Sequence, residues 1–205
     1  MRESSQDYKK LICYLARLLC IEVKDFVKQT KLTYEYNIPI YCSENCFKTL
    51  RVDIYSPYFI REYKKNFNKI SIEGNKLVLK PGGALTNLKE FLKCEKDFPN
   101  AVEDEIGQIR GYWYFLKEQE KINPYTVSIV TNGNIWVLFG STDENSLDNS
   151  ITEPEILLAV DTSRENHKEL LQQFLKQVIE QKATISYKEL KEKYKCQGLQ
   201  IKVLK

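Results

Sequence analysis

The sequence has a single histidine, His167, and no CxxC pair among its six cysteines. Its closest thiols, Cys42 and Cys46, are separated by three residues and lie in a predicted hairpin. Zinc sites are usually built from closely spaced cysteines and histidines, so a zinc site here would need thiolates from distant parts of the chain. The pattern favours reduced, partly buried thiols, such as Cys13 and Cys20 on a helical segment.

Long apolar runs are also missing. No run reaches the ~20 residues that cross a bilayer, and the charged N-terminus lacks the apolar core of a signal peptide. We therefore expect a soluble, cytoplasmic protein with no membrane partner. The net charge of +3 permits nucleic-acid binding without arguing for it, because dedicated nucleic-acid-binding domains are usually more basic.

What the sequence does contain is the material for one domain, or for one domain with a small appendage. Apolar residues recur at helical spacing in three long segments and at period two or in short runs between them. We predict helices over 5–20, 22–30, 103–120 and 165–182, strands over 33–41, 47–55, 125–130 and 135–139, and a hairpin over 70–79. This order predicts an α/β fold with a mixed β-sheet flanked by helices over 1–160. Residues 161–205 are predicted to be a helical C-terminal extension packed on the same domain.

The segment 51–64 brings together two acids and a lysine if Pro57 and Tyr58 form a two-residue hairpin loop. Asp53 would then lie opposite Glu62, and Lys64 would share their face of the sheet. The alternative is a helix beginning at Ser56-Pro57, because apolar residues in 57–68 also fit helical spacing. In a helix Glu62 and Lys64 point about 200° apart, and the cluster does not form.

Such a cluster suits phosphodiester chemistry. Two adjacent carboxylates repel unless a cation lies between them, and Mg²⁺ prefers oxygen ligands. The ion can lower the pKa of a bound water, and Lys64 can orient that water or neutralise developing charge. Glu35, on the polar face of the preceding strand, can join Asp53 and Glu62 as a ligand or can be a plain exposed glutamate.

The predicted helix 103–120 carries a second pair of polar residues. Gln108 and Tyr112 lie one turn apart, offset from the apolar stripe, so they can contact a phosphate of a nucleic acid or brace the metal site. Tyr112 also fits the rim of the core. The stripe itself consists of Ile106, Ile109, Trp113 and Leu116.

The order of acid strand, E-x-K strand, Q-x-x-x-Y helix and strand-TNG-strand resembles the nuclease domain at the N-terminus of type I restriction enzyme motor subunits, in the PD-(D/E)xK superfamily. The resemblance spans about residues 10–160 and is specific over 104–140. It implies that Asp53 is the metal-binding aspartate and that Glu62 and Lys64 are the E-x-K pair. Gln108 and Tyr112 match the helix motif, and Glu35 or Glu22 the additional N-terminal acid.

This resemblance implies a restriction-endonuclease-like core and cleavage of DNA phosphodiester bonds with Mg²⁺ or Mn²⁺. The implied partner is DNA, and both a homodimer and a larger nuclease complex are compatible with it. In an alternative alignment Lys80 is the lysine and Val78 stands at the glutamate position, which would make the chain a catalytically degenerate module that binds nucleic acid or protein. A third interpretation is an RNA endonuclease, because fold and site do not distinguish the two backbones.

Overall fold

A computed structural model describes residues 5–43, 46–80, 105, 109, 112, 127–140, 155–181 and 187–204. The fold is mixed α/β, as predicted. Its helices are α1 (Ser5–Leu18), α2 (Val23–Thr30), α3 (Glu165–Gln181) and α4 (Tyr187–Tyr194). In the described part of the chain no helix is long and apolar enough to cross a membrane.

The main sheet has six strands in the order β1-β2-β3-β6-β7-β8. Its only parallel pair is β3 with β6, and the other neighbours are antiparallel. The strands are β1 (Thr33–Ser43), β2 (Cys46–Tyr55), β3 (Phe59–Tyr63), β6 (Val127–Thr131), β7 (Ile135–Gly140) and β8 (Glu155–Asp161). A parallel neighbour requires a crossover connection, and the stretch between β3 and β6 supplies it.

A second, three-stranded sheet has the order β4-β5-β9. Its strands are β4 (Ile70–Glu73), β5 (Lys76–Leu79) and β9 (Gln200–Val203). The first two form the hairpin predicted over 70–79, with Gly74 at φ +61° in the turn. β9 lies parallel to β5, so the end of the described chain returns to the segment that follows β3.

The central strands of the main sheet are buried on both faces. Ile129 contributes to a core with α1, α2, α3 and α4, whereas its neighbour Val130 belongs to a second core with β5 and Ile109. Every residue of β6 and β7 is buried. Strands covered on both sides carry continuous apolar runs rather than strict alternation, which explains the sequences of these two strands.

The turn between β6 and β7 is wider than the two-residue turn favoured by Asn132-Gly133. Only Gly133 has a positive φ, at +98°, and the strands pair up to Thr131 and Trp136. The Asn132 side chain accepts hydrogen bonds from the backbone N–H groups of residues 134 and 135 at 3.1 and 2.9 Å. The asparagine therefore acts through its side-chain amide, and the hairpin itself is confirmed.

The C-terminal part of the chain corrects the sequence prediction. β8 begins before residue 161 and is the edge strand of the main sheet beside β7. Residues 161–205 are not purely helical, because β9 follows α4. α3 and α4 do pack on the same core as α1, as expected for an extension of the same domain. Neither strand was predicted: β8 is a short apolar run without a distinctive period, and β9 has only four residues.

Candidate active site

The β2–β3 hairpin has the predicted tight turn. The backbone N–H of Ser56 donates to the carbonyl of Phe59 at 2.9 Å, and Ile54 pairs with Arg61. Continuing this register by one residue places Asp53 opposite Glu62. The strand interpretation of 59–63 is therefore correct and the helical alternative is wrong.

Buried hydrogen bonds fix this turn against α2. The Ser56 hydroxyl donates to the carbonyl of Thr30 at 2.7 Å, and it accepts from the Tyr58 N–H at 3.2 Å. Ser56 is fully buried, and buried polar groups stabilise a fold only when they are paired. The end of α2 thus holds the hairpin that carries the acids.

Asp53 lies where the ladder between β2 and β3 ends. Beyond Ile54 and Arg61 the two strands are no longer paired, and the Asp53 side chain takes over the next donor: its Oδ2 accepts the Tyr63 backbone N–H at 2.8 Å. The carboxylate is half-buried. Its Oδ1 accepts no hydrogen bond from the described residues, so this oxygen remains available to a ligand.

Glu62 is held by two donors. Its Oε1 lies 3.0 Å from the Lys64 ammonium, and its Oε2 accepts the hydroxyl of Tyr112 at 2.9 Å. The residue is only 7% exposed, whereas the Lys64 side chain is 25% exposed. The lysine therefore forms the solvent side of the cluster and the tyrosine its interior side.

Burial raises the pKa of Glu62 to about 7, and repulsion from Asp53 adds to the rise. The Lys64 ammonium and the Tyr112 hydroxyl oppose it, because both stabilise the ionised carboxylate. Because Asp53 raises the pKa of Glu62, the two carboxyl groups are close enough to interact electrostatically. Near neutral pH Glu62 is therefore present in both its protonated and its ionised form.

Tyr112 reaches Glu62 from a helical position that is more buried than the sequence indicated. Glu105, Ile109 and Tyr112 are all helical, at spacings of four and three residues that place them on one helix face. We call these three residues the 105–112 face. Their exposures are 1%, 1% and 2%. In this arrangement Tyr112 braces Glu62, and the Tyr112 side chain is not exposed for direct contact with a nucleic acid.

Three further residues were predicted for the site: Gln108, Glu35 and Glu22. Gln108 lies outside the described residues. Glu35 is exposed, and its φ of +47° departs from regular strand geometry. The residues before and after it pair with the residues on either side of Asp53. Glu22 is an exposed residue at the start of α2. The metal-ligand role of Glu35 stays a prediction.

The alternative alignment places its residues in the other sheet. Val78 is a buried residue of β5, 2% exposed, and Lys80 is exposed immediately after that strand. β5 pairs with β4 and β9, not with the strand that carries Asp53. The lysine that the structure places beside an acid of the predicted site is therefore Lys64.

The donor set is incomplete but suited to a hard cation. Within the described residues no group of three or more His, Cys, Asp or Glu side chains is placed to hold a metal ion. Asp53 and Glu62 nevertheless provide carboxylate oxygens in a partly buried setting whose mutual repulsion a divalent cation would relieve. Waters and phosphate oxygens commonly complete the shell of Mg²⁺.

The sequence analysis missed one residue near the site, Glu105. Its buried carboxylate accepts the backbone N–H groups of Asn68, Lys69 and Ile70 at 3.2, 2.8 and 3.2 Å. The available signal was its spacing: Glu105 lies four residues before Ile109 and seven before Tyr112, the spacing of a shared helix face. An acid on an apolar helix face needs hydrogen-bond donors from elsewhere in the fold.

Comparisons of the chain with protein-family models, with curated proteins and with solved structures found no match. The family resemblance therefore depends on the residues and their arrangement alone.

Proposed function

We propose that this protein is a metal-dependent DNA endonuclease that hydrolyses phosphodiester bonds, of the type I restriction-subunit nuclease type, with Asp53, Glu62 and Lys64 at its centre. One observation carries the proposal: Asp53 and Glu62 lie one step beyond the last pair of the β2–β3 ladder, close enough for Asp53 to raise the pKa of Glu62, and Lys64 is paired to Glu62 at 3.0 Å. The element order that the resemblance requires, acid strand, E-x-K strand, helical residues and strand-TNG-strand, also agrees with β2, β3, the 105–112 face, and β6 and β7.

The role proposed for each residue follows from its exposure. Asp53 and Glu62 would hold Mg²⁺ or Mn²⁺, and Glu35 is the third ligand that the sequence predicts. When bound, the ion supplies Lewis-acid activation of the phosphate and a water of lowered pKa. Lys64, on the solvent side, neutralises charge on the phosphate. Tyr112 keeps the Glu62 carboxylate oriented from the interior, and Gln108 is the residue predicted to contact the nucleic acid.

The Glu62 proton is part of this chemistry. With a pKa of about 7, Glu62 must lose its proton to bind a cation, and a cation beside it favours the ionised form. Lys64 must also leave Oε1, or share it, when the ion arrives. We therefore expect divalent-ion binding to strengthen as the pH rises through 7 and to release a proton.

The test is cleavage of supercoiled plasmid by the purified chain with Mg²⁺, with Mn²⁺ and with a chelator. Asp53→Asn removes the charge but retains an oxygen that can accept the Tyr63 N–H, and Lys64→Ala removes the ammonium. Both should abolish cleavage while the thermal unfolding temperature stays close to that of the wild type. The matched control is Lys65→Ala, an exposed neighbouring lysine, which should remain active. Cleavage that survives both site substitutions would remove the site from the proposal.

A second candidate, a catalytically degenerate module that binds nucleic acid or protein, is favoured by a different observation. Both oxygens of Glu62 already have partners, and the described residues hold no three-ligand group. In this case calorimetry should detect no Mg²⁺ or Mn²⁺ binding at pH 8. Retained DNA binding without metal binding or cleavage would select this candidate, and cleavage confined to a matched RNA would select a ribonuclease.

A further inference from the structure

Glu105 is a buried carboxylate to which the proposed chemistry gives no role. It is 1% exposed and is satisfied by three consecutive backbone N–H groups, of residues 68, 69 and 70. Burying a carboxylate is costly unless it is fully hydrogen-bonded, and bonds from N–H groups to an ionised acceptor are among the stronger ones. The contact is also long-range, since it joins residues 35 to 37 positions apart.

The segment held by Glu105 is the return loop that begins at Lys64. The backbone N–H of Lys64 donates to the carbonyl of Thr131 at 2.9 Å, which fixes the start of the loop on β6. The other end is fixed at residues 68–70 by Glu105, and the Lys69 carbonyl accepts from Lys80 at 2.8 Å. Only residues 65, 66 and 67 lie between these two attachments and belong to neither.

The 105–112 face thus contacts Glu62 of the ion pair and the loop that follows its partner, Lys64. Tyr112 holds Glu62 directly through Oε2, and Glu105 holds the loop that follows Lys64. Seven residues of α-helix correspond to a rise of about 10 Å, so two helical positions at this spacing can reach both places. Ile109, between them, packs in the second core and anchors the face on the sheet.

We infer that Glu105 is a positioning residue for Lys64: its carboxylate clamps the loop at residues 68–70 and thereby keeps the Lys64 ammonium on Glu62. The catalytic consequence rests on the proposed nuclease function, whereas the geometric consequence does not. In Glu105→Gln the side-chain amide turns an N–H₂ group toward backbone donors, so at least one of the three bonds is lost. The Lys64 N–H stays on Thr131, but the path of the chain after Lys64, and with it the direction of the Lys64 side chain, is then less firmly fixed.

The experiment compares wild type, Glu105→Gln, Glu105→Asp and Ile109→Val by three measurements. These are amide hydrogen exchange at residues 68–70, the ¹⁵N resonance of the Lys64 ammonium, and kcat and KM for plasmid cleavage. Glu105→Gln should speed exchange, shift the Lys64 resonance toward that of an unpaired lysine, and lower kcat about 10- to 100-fold with KM within about threefold. Glu105→Asp, which keeps the charge on a shorter stem, should lie between and covers the case that the Gln variant does not fold.

Ile109→Val is the matched control, because it trims a buried residue of the same face without touching a hydrogen bond. It should lower stability and leave the Lys64 resonance and kcat unchanged. Faster exchange at 68–70 in either Glu105 variant, with an unchanged Lys64 resonance and unchanged kcat, would show a purely structural role and overturn the inference. If the wild type cleaves nothing, the proposed function fails, while exchange and the Lys64 resonance still decide whether Glu105 positions the lysine.

Discussion

Replacing Glu62 by glutamine should make the protein more stable at alkaline pH. Burial and the nearby Asp53 raise the pKa of Glu62 from 4.5 to about 7, so the folded state binds this proton more tightly than the unfolded chain does. The resulting stabilisation is fully present below about pH 4.5 and is lost as the pH rises through about 7. Glutamine, which never ionises, avoids this loss.

The expected size follows from the pKa values. Each tenfold change in proton affinity corresponds to about 1.4 kcal/mol, so the wild type loses about 3 kcal/mol through this group between pH 4.5 and pH 8. Glutamine can still accept the Tyr112 hydroxyl, and the attraction of Lys64 for the ionised carboxylate is already included in the pKa of about 7. What reduces the gain is the less suitable contact of the amide with the Lys64 ammonium. We therefore expect Glu62→Gln to exceed the wild type by about 1–3 kcal/mol at pH 8, with little or no advantage at pH 5.

The assay is urea unfolding of both proteins at half-unit pH steps from 5 to 8.5 without divalent ions. Groups that titrate alike in both proteins cancel in the difference, so its pH dependence reports on Glu62 and its immediate partners. Glu73→Gln, at an exposed glutamate of β4, is the control and should leave the curve unchanged. The reasoning would be refuted if the difference in unfolding free energy between Glu62→Gln and the wild type were the same at every pH. It would also be refuted if that difference favoured the variant less at pH 8 than at pH 5.

Three further predictions concern the elements around the site. Tyr112→Phe should cost about 1.5–3 kcal/mol at pH 8.5, where its partner is ionised, and less at pH 5.5; equal losses by urea unfolding at both pH values would contradict this. Ile109→Ala should lower the free energy of unfolding by about 2–5 kcal/mol. Gln108→Ala should change it by no more than ~0.5 kcal/mol but should impair cleavage or DNA binding. Equal destabilisation of the two variants in thermal melts would mean that Gln108 has a structural role. Gly198→Ala should destabilise far more than Gly74→Ala, although both have positive φ, because its Cβ would lie 2.3 Å from a backbone oxygen whereas the other meets nothing within 4 Å; similar melting temperatures for the two variants would contradict it.

The register of the candidate site followed from the sequence once residues 57–58 were taken as a hairpin loop, because it depends on local chemistry. A two-residue loop at Pro57-Tyr58 fixes which residues of the flanking strands face each other. This alone places Asp53 opposite Glu62, and strand alternation adds Lys64. The hairpin at 70–79 was readable for the same reason, since its turn and its strands are adjacent in the chain.

Only the tertiary structure decided the environment of these residues. The pKa of Glu62 depends on burial and on Tyr112, which comes from 50 residues away. The contact of Glu105 with the loop after Lys64 and the pairing of β9 with β5 also join segments that are far apart in sequence. Such contacts leave no periodic pattern or turn motif in the sequence, because they form only when separate elements pack in one core. The sequence by itself therefore determined which side chains would stand together if 57–58 formed a hairpin turn. The tertiary structure decided in favour of that turn, and burial, Asp53, Lys64 and Tyr112 together set the pKa of Glu62.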